Sequence, residues 1–210
     1  MIVAAERIIA ERGMPALTLK DVQIAANQSN KSAAKYHFGS REGLIEALVE
    51  VRMSPVNARR QVMLDEMEHL RVPPTARQAV EALVRPLAAE TLDRPGSMYA
   101  RFLVQALFDP ALAELIQKHL RAESYRRVHQ MLIDLCPASG EVAGWRADNI
   151  VTLTMTTFAT REGLDRTPVQ TAAIVADLVE TCVAMLDAPA PPFSPTPNPM
   201  ERTDPQGVSL

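Results

Sequence analysis

Residues 18–41, TLKDVQIAANQSNKSAAKYHFGSR, decide how this chain is read. Thr18 opens a helix: its hydroxyl can accept from free N–H groups of the first turn, and Asp21 suits the positive helix end. Leu19, Val22 and Ala26 make the inward stripe, and Asn27, which tolerates left-handed geometry, ends it. Ser29 opens a second short helix through His37, and Gly39 stops that one. Ala33 and Ala34 are small enough to let the two helices sit close together. After Asp21 no acidic residue occurs until Glu42, yet Lys31, Lys35 and Arg41 fall in the interval. Lys31 and Lys35 are four apart and share a helix face. Gln28, Ser29, Asn30 and Ser32 crowd the first turn with amides and hydroxyls. Such a helix suits the major groove of DNA, where amides and lysines meet base edges while hydroxyls and ammonium groups hold phosphates. Tyr36 adds a phenol of the right reach for a phosphate. The pattern is that of a helix-turn-helix; its plainer alternative is a solvated face on an ordinary short helix.

Helical signals continue in both directions. Upstream, Ile2–Arg12 has Ala5, Ile8 and Ile9 on one face and stops at Gly13. Downstream, Ser40 caps a fourth helix carrying Leu44, Ile45, Leu48 and Val49. From Pro55 the helices lengthen. Residues 58–70 carry Val62, Met63 and Met67 and are broken at Pro73-Pro74. Thr75 and Gln78 form a capping box before Val80, Leu83, Val84 and Leu87, with a kink expected at Pro86. Further helices are expected over 97–108, from Asp109-Pro110 to before Pro137, over 139–163, and over 168–187, the last opened by Thr167-Pro168 and Gln170. No alternating strand is found, so the expected fold is all-α. Seven of the 22 residues in 189–210 are proline, which predicts a disordered tail. The expected organisation is a helix-turn-helix domain at 1–53, a larger helical domain at 54–188, and the tail.

Composition narrows the function. The 210 residues include 22 Lys plus Arg and 25 Asp plus Glu, a formal net charge of −3. That total excludes a general polyanion binder but leaves room for a local basic face, because partners respond to nearby charge. Residues 1–52 hold seven basic and six acidic residues, so the acidity lies in the remainder. Two cysteines, Cys136 and Cys182, supply neither a disulfide scaffold nor a four-cysteine zinc site, and inert buried thiols are expected. No run of about 18 apolar residues is present, and Glu6 and Arg7 interrupt any signal-peptide core, which predicts a soluble cytoplasmic protein without membrane contact. His69, His119 and His129 lack metal-ligand spacing; His119 and Glu123 are placed to pair on a helix surface. Without a phosphate loop, metal motif or nucleophile elbow, the expectation is a non-enzyme with no metal and no cofactor.

The elements Ala10-Glu11-Arg12-Gly13, Thr18 and Val22, followed by SAAKYHFGSREGLIEAL at 32–48, resemble the N-terminal domain of the TetR family of transcriptional regulators. In that family a Tyr-His-Phe cluster, here Tyr36, His37 and Phe38, ends the recognition helix. A Ser-basic-Glu sequence, here Ser40, Arg41 and Glu42, opens the next. The resemblance implies a homodimer that places each third helix in the major groove of a double-stranded operator. It also implies a larger helical domain that binds a small-molecule effector and releases the DNA. Thr18, Tyr36 and Arg41 would hold phosphates, while Gln28, Ser29, Asn30, Lys31, Ser32 and Lys35 would face the groove. His37 would touch phosphate or pack beside Phe38. Asn27 stands where the family usually has glycine, and the segment from that turn to Tyr36 is one residue longer than the commonest version. No basic arm precedes the first helix in this sequence, and an arm contact to the duplex is expected to be lost if the chain does not begin upstream of Met1.

The second domain is less informative. Phe102, Gln105, Phe108, Tyr125, Met131, Trp145, Thr152 and Met155 are candidates to line an effector cavity, against the alternative of ordinary core. Val151, Phe158, Ala172, Ala176, Val179 and Val183 are candidates for a four-helix dimer interface, and would equally fit a bundle core. The function implied is a repressor whose two recognition helices lie about 34–36 Å apart on a pseudo-palindromic operator until an effector intervenes. The rival is a helical sensor or interaction protein without operator binding.

Overall fold

The computed structural model describes residues 1–28, 33–109, 122–138 and 140–189, and every regular element among them is helical. The expectations for Ser29, Asn30, Lys31, Ser32, Pro110, His119 and the proline-rich tail beyond 189 lie outside the described residues. Helix α1 (Ile2–Arg12) ends at Gly13, whose φ of 83° suits a residue without Cβ. A 3₁₀ turn (Met14–Ala16) leads to α2 (Leu19–Ala25). Thr18 caps α2 as its sequence predicts. Its Oγ1 accepts from Asp21 N at 3.1 Å and donates to the Asp21 carboxylate at 2.6 Å. Asn27 takes the left-handed conformation, with φ 50°. Helix α3 covers Ala33–Phe38.

Helix α4 (Arg41–His69) corrects the sequence reading. Ser40 Oγ caps it through Gly43 N at 3.0 Å, and it then runs 29 residues without stopping at Pro55. A proline costs the helix one hydrogen bond to the preceding turn. Here the apolar residues on either side, Leu48, Val49, Met53, Val56 and Leu64, are all buried and hold the helix together across that gap. The boundary expected at 53/54 therefore falls inside a single helix.

Helix α5 (Ala76–Glu90) begins with the expected Thr75–Gln78 capping box and passes through Pro86 in the same way. Helix α6 (Tyr99–Leu107) draws its N-terminal compensation from a distance. The Glu162 carboxylate accepts from Ser97 Oγ at 2.7 Å, Ala100 N at 3.2 Å and Arg101 N at 3.1 Å, meeting the positive helix end with a buried negative charge. Helices α7 (Glu123–Leu135), α8 (Glu141–Arg161) and α9 (Pro168–Asp187) complete the bundle. Thr167 and Gln170 form the second capping box, and Arg146 closes the far end of α9 by donating to the carbonyls of Leu186, Ala188 and Pro189.

A continuous apolar core runs from Ile8 and Ile9 of α1 through α4 to Leu132, Ile150 and Leu178. Helix α4 packs on α1 and α3 at its start and on α5 and α7 beyond; α6 lies on α1 and α8, and α9 on α5 and α8. By length and composition α9 also meets the criterion for a membrane span, with a mean hydropathy of 1.6 over 18 residues and a third of that window buried. Polar residues, among them Gln170 and Thr171, interrupt its apolar run in the sequence. Asp177 and Glu180 both lie exposed along it.

Candidate nucleic-acid interface and internal cavity

Val22 of α2 and Ala33 and Ala34 of α3 are buried, so the two short helices meet through small and branched side chains, as their sequence implies. The opposite surface carries the candidate DNA contacts. Thr18, Gln28, Lys35, Tyr36 and His37 are all exposed, Tyr36 by 85%. The Tyr36 ring stands edge-on to His37 at 5.4 Å, and His37 is tilted toward the partly buried Phe38 at 6.4 Å. The side chains of Gln28 and Lys35 make no hydrogen bond or ion pair among the described residues. Arg41 is placed differently from expectation. Its Nε donates to Leu17 O at 3.0 Å and its Nη2 to Met14 O at 2.8 Å, so the guanidinium braces the turn before α2. Only its Nη1, 3.8 Å from Glu42, remains turned elsewhere.

Behind this surface lies a buried ion pair that the sequence reading does not anticipate. Arg52 and Glu6 are 2% and 1% exposed, with Arg52 Nε and Nη2 donating to Glu6 Oε2 at 2.7 and 2.5 Å. The other Glu6 oxygen accepts from Met98 N at 2.6 Å, immediately before α6. The Arg52 guanidinium also stands 6.0 Å over the ring of Tyr99. One carboxylate thus ties α1, α4 and α6 together. Burial raises the Glu6 pKa above the ordinary carboxylate value, against the pull of Met98 N–H and Arg52. Burial likewise raises the Tyr99 phenol. Arg52 Nη1 and the Tyr99 hydroxyl are buried without a hydrogen-bond partner among the described residues. A signal for Arg52 is present in the spacing: Leu48, Arg52, Val56, Arg60 and Leu64 form one row at intervals of four, and all five are buried.

A cavity of about 230 Å³ opens between α4 and the four helices that follow it. From α4 it is lined by Val49, Met53 and Arg60, and from α5 by Leu83 and Leu87. Tyr99, Leu103 and Leu107 of α6 and Tyr125 of α7 form further walls, and α8 contributes Asp148, Val151, Thr152, Thr154 and Met155. Of the residues named from sequence, Tyr125, Thr152 and Met155 line it. The others do not. Phe102 is fully buried and stacks on Tyr99 at 5.6 Å. Gln105 and Phe108 border a shallow depression beside Met14 and Pro15, and Phe108 is 76% exposed. Met131 packs partly buried against the core, and Trp145 is half-exposed. Periodicity tells which residues share a helix face but not which faces enclose space.

The polar residues of the cavity carry no motif that would single them out in the sequence. Arg60 is 2% exposed; its Nε donates to Ala82 O at 3.2 Å, its Nη1 to Asn57 Oδ1 at 2.8 Å, and it stands 5.7 Å over the Tyr125 ring. Burial pushes Arg60 down to about 10 and Tyr125 up to about 12. Asp148, at the rim, lies 2.9 Å from His129 Nε2.

The expected interface residues divide in the same way. Phe158 and Val179 are buried inside the protomer, at 0% and 1% exposure, and so are not available to a partner, while Val151 is partly buried and lines the cavity. Ala172 and Ala176 are exposed and Val183 is half-buried. Both thiols are buried, and burial pushes Cys182 up to about 11, which suppresses its thiolate.

Residues 1–48 match the family model for bacterial regulatory proteins of the tetR family. Among solved structures the chain resembles the TetR family transcriptional regulator PfmR from Thermus thermophilus, with a TM-score of 0.55 and 16% identity over 88% of this chain and 96% of that one. That likeness is one of fold. No curated protein matches the chain. The matched segment is the N-terminal helix-turn-helix region, and it contains the Tyr36-His37-Phe38 and Ser40-Arg41-Glu42 strings on which the resemblance rests.

Proposed function

We propose that this regulator is a homodimeric repressor, bound to a pseudo-palindromic operator through α2 and α3 and released when a small molecule fills the cavity between α4 and α8. The observation that carries the reading is the continuity of α4. One helix starts at Ser40, under α3, and reaches the cavity wall at Arg60. Lys35, Tyr36, Gln28 and Thr18 supply the exposed contacts to DNA, with Arg41 holding the turn from which Thr18 projects. An effector shifts DNA affinity by as much as it prefers one arrangement of these helices over the other. The apolar surface of α9, with Val169 78% exposed and Ala172 and Ala176 beside it, supports a second copy as the partner that covers it.

Fluorescence anisotropy with labelled duplexes from the DNA flanking the gene tests this. The expected result is sequence-selective binding that weakens steeply with salt and is reversed by a cavity ligand. Sequence-indifferent or absent binding would overturn it.

A further inference from the structure

We propose that the cavity takes a small monocarboxylate with an apolar body, its carboxylate held by Arg60. The proposal deepens the reading of the cavity as an effector site and rests on it. Arg60 is a buried cation whose protein partners are all uncharged: one carbonyl, one side-chain amide and one aromatic face. Among the described residues no carboxylate lies within ion-pair distance of it. The contrast with Arg52, two turns earlier on the same face and paired with Glu6, is direct. A buried charge without a counter-charge is unfavourable, and an incoming anion relieves it. The Arg60 Nη2 makes no bond among the described residues, and a guanidinium fork matches a carboxylate in geometry as well as charge. Asp148 is 70% exposed and engaged with His129 at the rim, so it leaves Arg60 uncompensated.

The remaining walls set the rest of the molecule. Met53, Leu83, Leu87 and Leu103 offer hydrocarbon surface, and the two threonines and Tyr99 add few polar atoms. An apolar cavity of about 150 Å³ accommodates benzene, so about 230 Å³ corresponds to a body of roughly eight to ten carbons. A lipophilic cation is disfavoured by the same guanidinium, and a large nucleotide conjugate by volume.

The test is calorimetric titration of the full chain, free of DNA, with octanoate, octanamide and octylamine. Octanoate is expected to bind about tenfold or more tighter than octanamide, the difference a charge-assisted contact makes, and octylamine weakest of the three. The Arg60→Met variant should bind octanoate and octanamide equally, while Arg60→Lys keeps the preference for the acid. Should Arg60→Met not fold, the three ligands on the parent protein and on Arg60→Lys still decide. Octanamide or octylamine binding as tightly as octanoate, or no octanoate binding at millimolar concentration, overturns the proposal. A parallel anisotropy measurement separates it from the repressor reading. Octanoate that binds without releasing DNA defeats effector-released repression and leaves the ligand class standing. Release by a neutral or cationic ligand in this cavity does the reverse.

Discussion

Arg52→Met tests whether the Glu6–Arg52 pair locks the DNA-binding helices to the rest of the molecule. Methionine preserves length and apolar contact with Tyr99 but leaves the Glu6 carboxylate with Met98 N–H alone. Removing one partner of a buried ion pair costs about 3–5 kcal/mol. At an m value of about 2.5 kcal/mol/M, that lowers the urea midpoint by about 1–2 M. The carboxylate can limit the damage by taking up a proton. Its pKa already lies above the ordinary 4.5, and loss of Arg52 drives it higher. An acid with a raised pKa in the folded chain binds protons preferentially when folded, so stability falls as pH rises through the interval between the two values. The deficit should therefore be largest above neutrality and narrow toward pH 5. Urea unfolding followed by circular dichroism at pH 8 and pH 5.5, at one fixed protein concentration, measures both terms. A deficit that does not change with pH, or a midpoint equal to that of the parent, would refute the reasoning.

Three other substitutions address separate features. Lys35→Ala should lower operator affinity equally for all sequences and reduce the salt slope by about one if Lys35 meets phosphate, or relax base preference by about 1–3 kcal/mol if it reads an edge; competition binding at several salt concentrations decides. Thr75→Ala removes the Oγ1 that caps α5 and should cost about 1 kcal/mol, a fall in Tm of roughly 2–4 °C by calorimetry. Ala176→Asp puts a charge on the exposed face of α9, and light scattering should report a monomer that has lost operator binding while retaining cavity ligands.

Local chemistry is the most legible part of this sequence. Thr18, Asn27, Ser40, Thr75 and Thr167 stand where the helices begin or turn, because caps and left-handed residues act within four positions of themselves. Pro55 misleads because its local penalty is outweighed by burial contributed from distant helices. Arg52 and Arg60 mislead in the opposite sense. Arginine is rarely buried, so its type outweighs its position in an otherwise apolar row. For Phe102 and Phe158 the type is right and the surroundings are not: both are interior, yet Phe102 does not line the cavity and Phe158 does not reach the surface where a partner subunit would meet it. Arg41 shows a further limit, since a basic residue beside a DNA-facing helix can be committed to its own backbone.

The length of α4 has a mechanical consequence. From Arg41 to Arg60 the helix rises about 28 Å at 1.5 Å per residue, which makes it a lever arm with its load beneath α3 and its grip at the cavity. A tilt of about 5° about the cavity end displaces the other end by about 2.5 Å over that length. Two subunits moving oppositely would change the spacing of their recognition helices by about 5 Å, against the roughly 34–36 Å that one turn of DNA requires. At Pro55 the rod lacks one internal hydrogen bond, and the buried residues on either side of it carry the helix across that gap. Under the proposed mechanism, a side-chain adjustment at Arg60 too small to alter the fold would thereby be magnified into a misfit at the double helix.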